Sequence, residues 1–197
     1  MNIKKLLTEE TADRDFALKL HYDCAQFFKQ NGYGYKSLPL YRGLNKSIQT
    51  YRIIEPRKNR IPKNTKLQLH NALDKLLYKK FGWKPRSEGV FCTGSEFKAR
   101  FYGYVYIMLP IGDFKFVWSP KIDDLFNQLS LNGITDFNTD EIIKKDYLPD
   151  LKKIADTYTD KDLVSAILSG NEISIKCNKY YLINTDYIKP VYNIIFQ

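Results

Sequence analysis

Gly89-Val90-Phe91-Cys92-Thr93-Gly94-Ser95 reads as a short apolar strand with a polar end, and Ser95 is placed to cap a short helix over Glu96 to Tyr102 that Gly103 closes. Beyond it, Tyr104 to Leu109 and Phe114 to Trp118 are rich in β-branched and aromatic residues. Pro110-Ile111-Gly112-Asp113 separates them, which predicts two adjacent strands. Sheet returns near the C-terminus as Glu172 to Cys177, a turn at Asn178-Lys179, Tyr180 to Asn184, and Tyr187 to Phe196, where Pro190 marks an edge strand. Between these blocks, helical patterns run near Ile122 to Leu129, Asp140 to Thr157 and Lys161 to Leu168.

On the N-terminal side, Leu38-Pro39-Leu40-Tyr41 reads as a strand that delivers Arg42-Gly43 at its end. Asn45 to Lys63 is a polar, basic connection, and Leu69, Ala72, Leu73, Leu76 and Leu77 then repeat at helical spacing from about Thr65 to Lys80. Residues 1–37 form a helical lead-in. From Thr8 to Gln30, Phe16, Ala17, Leu20, Cys24, Phe27 and Phe28 share one face, with Thr8 or Thr11 as a cap and Asn31-Gly32 as a stop. Strands on both sides of the helices, joined by short turns, predict an α+β fold with a mixed or antiparallel sheet core and packing helices. At 197 residues, without internal repeats, the chain fits a single domain.

The net charge is +9, and it is concentrated. From Lys46 to Arg86, twelve Lys and Arg stand against two acids, Glu55 and Asp74, a surplus of ten. Such a stretch suits an anionic partner, whether nucleic acid, an acidic protein face or a pyrophosphate, and equally a solvated basic helix. Cys24, Cys92 and Cys177 are odd in number and far apart, so neither a disulfide framework nor a zinc site is indicated, and a reducing, cytoplasmic setting is the simplest expectation. Leu6-Leu7 is too short an apolar run for a signal peptide, and no later run reaches membrane-spanning length. His21 and His70 sit in no metal-ligand pattern and are expected at the surface or at caps. There is no G-x-S-x-G, no phosphate loop and no strand-linked G-x-G-x-x-G.

What remains is a set of polar groups at strand ends: Arg42 after one, Thr93 and Ser95 after another, Glu172 opening a third. Singly, each has a structural reading as a surface ion pair, a helix cap or a strand-end acid. In order, spacing and neighbours they resemble the Arg-Ser-Glu branch of the ADP-ribosyltransferase family. Leu40-Tyr41-Arg42-Gly43 is similar to that family's aromatic-Arg-Gly strand. Gly89 to Ser95, with Ala99 and Phe101-Tyr102 behind it, is similar to the Ser-Thr-Ser strand and its following helix. Tyr104 to Gly112 resembles the next core strand and its turn. Asn171-Glu172-Ile173-Ser174-Ile175 and Lys179 to Ile183 resemble the catalytic Glu strand and its partner. The likeness spans Leu38 to Phe196 and extends to the small transferases that bacteriophages encode.

Two departures stand out. Thr93 and Gly94 replace the first Ser and the Thr of the motif, and a one-residue shift aligns Cys92-Thr93-Gly94 instead. Gly170 occupies the place, two residues before the catalytic Glu, of an acceptor-activating Glu or Gln, so the resemblance implies an acceptor other than arginine, one that is already nucleophilic or supplies its own base.

The resemblance implies a sheet core of the ADP-ribosyltransferase type and NAD as substrate. Splitting the nicotinamide-ribose bond passes through an oxocarbenium-like state, which calls for a fixed negative charge near the ribose and a cation on the pyrophosphate. Glu172 would accept a hydrogen bond from the ribose 2′-hydroxyl, and Arg42 would bind phosphate or adenine-side ribose oxygens. Gly43 would offer its backbone to the carboxamide, Thr93 and Ser95 would hold the strand end, and Tyr102 or Phe101 would stack on nicotinamide. The basic stretch 46–86 would face a macromolecular acceptor, protein or nucleic acid. No metal and no membrane are implied. A competing reading makes the chain a non-catalytic nucleic-acid-binding or inhibitor protein, in which Arg52, Arg57, Lys58, Arg60, Lys63 and Arg86 interleave with Tyr51 and Trp83. A third is a 2′-phosphotransferase that uses NAD⁺ with a phosphorylated RNA.

Overall fold

In the computed structural model of the chain, which describes residues 3–32, 38–58, 60, 67–131 and 147–196, one long antiparallel ladder organises everything else. Strand β4 (Tyr104–Trp118) pairs with β5 (Ile173–Asn184) along nearly its whole length. The sequence predicts four strands here, and the structure has two. Both expected turns fall at one spot: Ile111 faces Lys179 and Phe114 faces Cys177, so Gly112 and Asp113 oppose the single residue Asn178 as a β-bulge. Gly112 takes φ +66°, a conformation that a bulge and a turn both ask of glycine.

The other strands pack around this pair. β1 (Tyr41–Leu44) adds to β4, with Arg42 opposite Tyr106, so Arg42 lies within the strand and not after it. β3 (Val90–Cys92) pairs with the first residues of β5, Phe91 opposite Ser174. β2 (Tyr51–Ile54), inside the segment expected to be a connection, pairs with the last residues of β5. All pairings are antiparallel in this five-stranded sheet. Thr93, just past β3, exchanges backbone hydrogen bonds with Tyr41 at 2.7 and 3.0 Å. Hydrogen bonding therefore runs as a circuit from β1 to β4, β5, β3 and back to β1.

Helices cover both sides of the sheet. α1 (Ile3–Asp23) begins ahead of Thr8, so Thr8 and Thr11 lie inside the helix and are not its caps. With α2 (Ala25–Gln30) it buries Ala17, Leu20, Cys24, Phe27 and Phe28 in a core shared with the strands. A second core is built from α3 (Leu67–Phe81), α6 (Leu125–Leu131) and α7 (Leu148–Asp156) with Trp83, Val117 and Tyr158. The helix expected over Asp140 to Thr157 appears as α7, its first part lying outside the described residues, as does the expected start of α3. Short α4 (Pro85–Glu88) precedes β3, α5 (Glu96–Arg100) follows it, and α8 (Leu163–Ser169) precedes β5.

The expected final strand is instead a helix, α9 (Thr185–Phe196), which accommodates Pro190. Asn184 starts it, because its Oδ1 accepts from the Asp186 and Tyr187 amides at 2.8 and 3.3 Å. Among the described residues no helix is long and apolar enough to cross a membrane.

Candidate functional site

Side chains alternate along a strand, and directly opposed residues project to the same face. Glu172, two residues before Ser174, therefore shares a face with Ser174 and Phe91. Ser174 Oγ donates to the Pro85 carbonyl at 2.7 Å, which pins the start of α4 against β5. That contact brings Arg86 to Glu172: Arg86 Nη1 donates to Glu172 Oε1 at 2.6 Å, with the two side chains 10% and 21% exposed. Burial works against the Arg86 charge, but the charge and hydrogen bond of Glu172 outweigh it, with help from Tyr158 and Asp74, and hold its pKa above the ordinary value.

Phe91 is the hub of the site. Its ring carries the Arg86 guanidinium at 4.4 Å and the Arg60 guanidinium at 4.1 Å from the centroid. Its carbonyl accepts from Arg42 Nη1, and Tyr180 lies close enough for the Arg42 charge to act on its hydroxyl. Burial, followed by the charges of Arg86 and Arg42, pulls the Arg60 pKa down to about 10, while Glu172 works the other way. Arg42 and Glu172, 130 positions apart in the chain, thus meet around one aromatic residue.

Behind α4 lies a buried polar network. Asp74 accepts from the Arg86 amide at 2.8 Å and from the Ser87 hydroxyl, and His70 Nε2 lies 2.9 Å from Ser87 Oγ. The single Ser87 proton goes to Asp74, so Nε2 is the donor to Ser87. This is the reverse of the arrangement that activates a serine, and the trio anchors α4. The expectation that His70 lies at the surface or a cap is corrected: it is 3% exposed, and burial, followed by Arg86 and Arg60, lowers its pKa against the pull of Asp74. His21 packs on the Phe28 ring at 4.6 Å.

The motif residues at the end of β3 are engaged within the chain. Thr93 Oγ1 donates to the Gly170 carbonyl at 2.7 Å and accepts from the Ser95 amide at 3.1 Å, tying β3 to the segment that leads into Glu172. Ser95 caps α5, accepting from the Lys98 amide at 3.3 Å. A Cβ on Gly43 would lie 2.1 Å from the Ala99 carbonyl oxygen and 2.7 Å from Tyr102 Cβ, so the bare backbone there is required by packing on α5. Tyr102 turns toward the site. Its hydroxyl bonds Asp124 at 3.2 Å, and desolvation of that end, with Asp124 and Glu172, pushes its pKa up to about 12. Phe101 turns away, its exposed ring against Phe97 at 5.1 Å.

Sequence reasoning identified Arg42 and Glu172 but not the parts played by Phe91, Arg60, Arg86, Asp74 or Ser87. The available signal was residue type with position: among the arginines of the basic stretch, Arg60 and Arg86 are the two that flank α3 most closely in the sequence. Among the described residues no group of three or more His, Cys, Asp or Glu is placed to hold a metal ion. Comparison with protein-family models, curated proteins and solved structures finds no match.

Proposed function

We propose that the chain is an ADP-ribosyltransferase that takes NAD⁺ as donor, with its sheet serving as a core of that family's type. The observation that supports this most is the Glu172 carboxylate, fixed by Arg86 beside the guanidiniums of Arg42 and Arg60. A reaction that builds positive charge on a ribose while a pyrophosphate stays bound needs both signs of charge in one small space.

In this reading, Arg86 fixes Oε1 and Glu172 presents Oε2 to the ribose 2′-hydroxyl. As the C1′–N bond breaks, nicotinamide leaves with the electron pair and the carboxylate stabilises the developing oxocarbenium. The acceptor's nucleophile then bonds to C1′ and gives up its proton to a base of its own or to solvent. Arg42 steadies the pyrophosphate, Thr93 and Ser95 hold the strand end, and Tyr102 flanks the nicotinamide. Gly170 is the left-handed C-cap of α8 (φ +66°) and offers no side chain to activate an acceptor, so the acceptor is already nucleophilic or supplies its own base.

Among the described residues of 46–86 outside the site, Arg52, Arg57, Lys75 and Lys84 are exposed and form the surface for a macromolecular acceptor. With a nucleic acid acceptor, affinity is expected to fall steeply with salt, and a flat response points to protein.

The deciding experiment is turnover of labelled NAD⁺ with cell protein, RNA and DNA offered separately. Glu172→Gln keeps a side chain that can still meet Arg86 but removes the charge. It is expected to lower turnover by roughly a hundredfold or more with the circular dichroism spectrum unchanged. Equal turnover removes Glu172 from the chemistry. A wild-type chain that neither binds nor consumes NAD⁺ leaves the nucleic-acid-binding reading in its place.

A further inference from the structure

We propose that Arg42 and Arg60 together form a diphosphate-binding site, in which Arg60 is the principal cation and Phe91 the shared support. This deepens the reading above by naming a residue that the motif resemblance does not contain, but it stands on a separate observation, the charge balance of the unliganded site.

Three guanidiniums, those of Arg42, Arg60 and Arg86, surround Phe91, and the one carboxylate among them, Glu172, has Oε1 occupied by Arg86. Among the described residues neither Arg42 nor Arg60 has a carboxylate within ion-pair distance. Glu172 offsets Arg86, with Asp74 supporting Arg86 from behind α4, which leaves the two positive charges of Arg42 and Arg60 without a paired carboxylate. Both cations also have a buried N–H with no partner, Nε of Arg42 and Nη1 of Arg60. Buried guanidinium donors in folded proteins are ordinarily satisfied, so two orphans on adjacent cations mark a place completed by a ligand's oxygens.

The placement of Arg60 is specific. Its amide donates to the Ser87 carbonyl at 3.0 Å and its guanidinium lies on Phe91, which holds it in the company of two other cations although that company lowers its own pKa. An anion reverses the penalty. A single carboxylate would fill one fork, whereas a diphosphate has oxygens for both and at least two negative charges to match the surplus.

The test is calorimetric titration with inorganic pyrophosphate, in parallel with NAD⁺, of the full chain and three variants: Arg60→Gln, Arg60→Lys and Lys58→Gln. Lys58 is exposed and two residues away, so Lys58→Gln removes the same unit charge from outside the site. The wild type is expected to bind pyrophosphate, Arg60→Gln to weaken it at least tenfold, and Lys58→Gln to leave it unchanged. Arg60→Lys is expected to fall in between, because a point charge replaces a fork.

Equal binding by wild type and both Arg60 variants overturns the proposal, as does an equal loss in Lys58→Gln, which would mean a diffuse field. The two readings also fail separately. Pyrophosphate binding that depends on Arg60, without any NAD⁺ binding, sinks the transferase reading alone. NAD⁺ turnover in a chain whose pyrophosphate affinity ignores Arg60 sinks the diphosphate site alone.

Discussion

Phe91 carries two guanidiniums on its ring and a third on its carbonyl, so the side chain and the backbone of this residue can be tested apart. Phe91→Leu keeps an apolar residue of similar bulk and leaves the carbonyl bond to Arg42 intact while removing the π face. A desolvated cation-π contact is worth about 2 kcal/mol, and urea denaturation of Phe91→Leu is expected to show a loss of that order or somewhat more. Arg86→Met leaves the Glu172 carboxylate mostly buried and unpaired. Breaking a buried pair from one side costs about 3–5 kcal/mol, and since Glu172 keeps some contact with water the low end is expected, with part of it recovered when Glu172→Gln is added. At this scale the sequence reveals Arg42 and Glu172, because a charged group next to an apolar strand is out of place locally. It conceals Arg60, which in Arg57-Lys58-Asn59-Arg60 differs from its neighbours only through where the chain later folds.

Secondary-structure elements show where local signals mislead and why. Pro110 to Asp113 and Asn178-Lys179 carry real punctuation, but the two marks face each other across one ladder, so a single bulge satisfies both and neither strand ends. Telling a bulge from a turn requires knowing what lies opposite. At the C-terminus, the aromatic and β-branched content and Pro190 argue for an edge strand, while Asn184-Thr185-Asp186 carries a helix start that prevails. Two tests belong to this scale. In Gly94→Ala the new Cβ would stand 1.8 Å from the Ile167 carbonyl oxygen, so β3 and α8 must separate, and a loss of about 2–3 kcal/mol is expected in thermal unfolding. The α3–α4 anchor is expected to be acid-sensitive. His70 has a folded pKa below its ordinary 6.5, so the unfolded chain takes up the proton first. Stability is therefore complete above pH 6.5 and falls as pH drops below it, and His70→Gln is expected to flatten that part of the stability-pH curve.

Across the whole molecule, two cores meet at the sheet, and Arg86 stands at their junction, bonded through its amide to α3 and through its guanidinium to Glu172. The fold class is legible in the sequence because it needs only the alternation of helical and strand patterns. The circuit of strands is not, since it depends on the single Tyr41–Thr93 pairing, which no periodicity encodes. The helical lead-in is integral to the packing: Leu20, Cys24, Phe27 and Phe28 are at most 1% exposed within the sheet's core. Removing residues 1–32 is expected to abolish the near-ultraviolet circular dichroism of a packed core and to yield aggregated protein. Because the Tyr41 and Thr93 amides each rely on the other residue's carbonyl, neither bond persists if the loop of strands opens. A pair of deuterium-exchange rates at these amides therefore reports how often the seam between Arg42 and the β3 end comes apart, and a molecule bound across that seam slows both together without touching either amide.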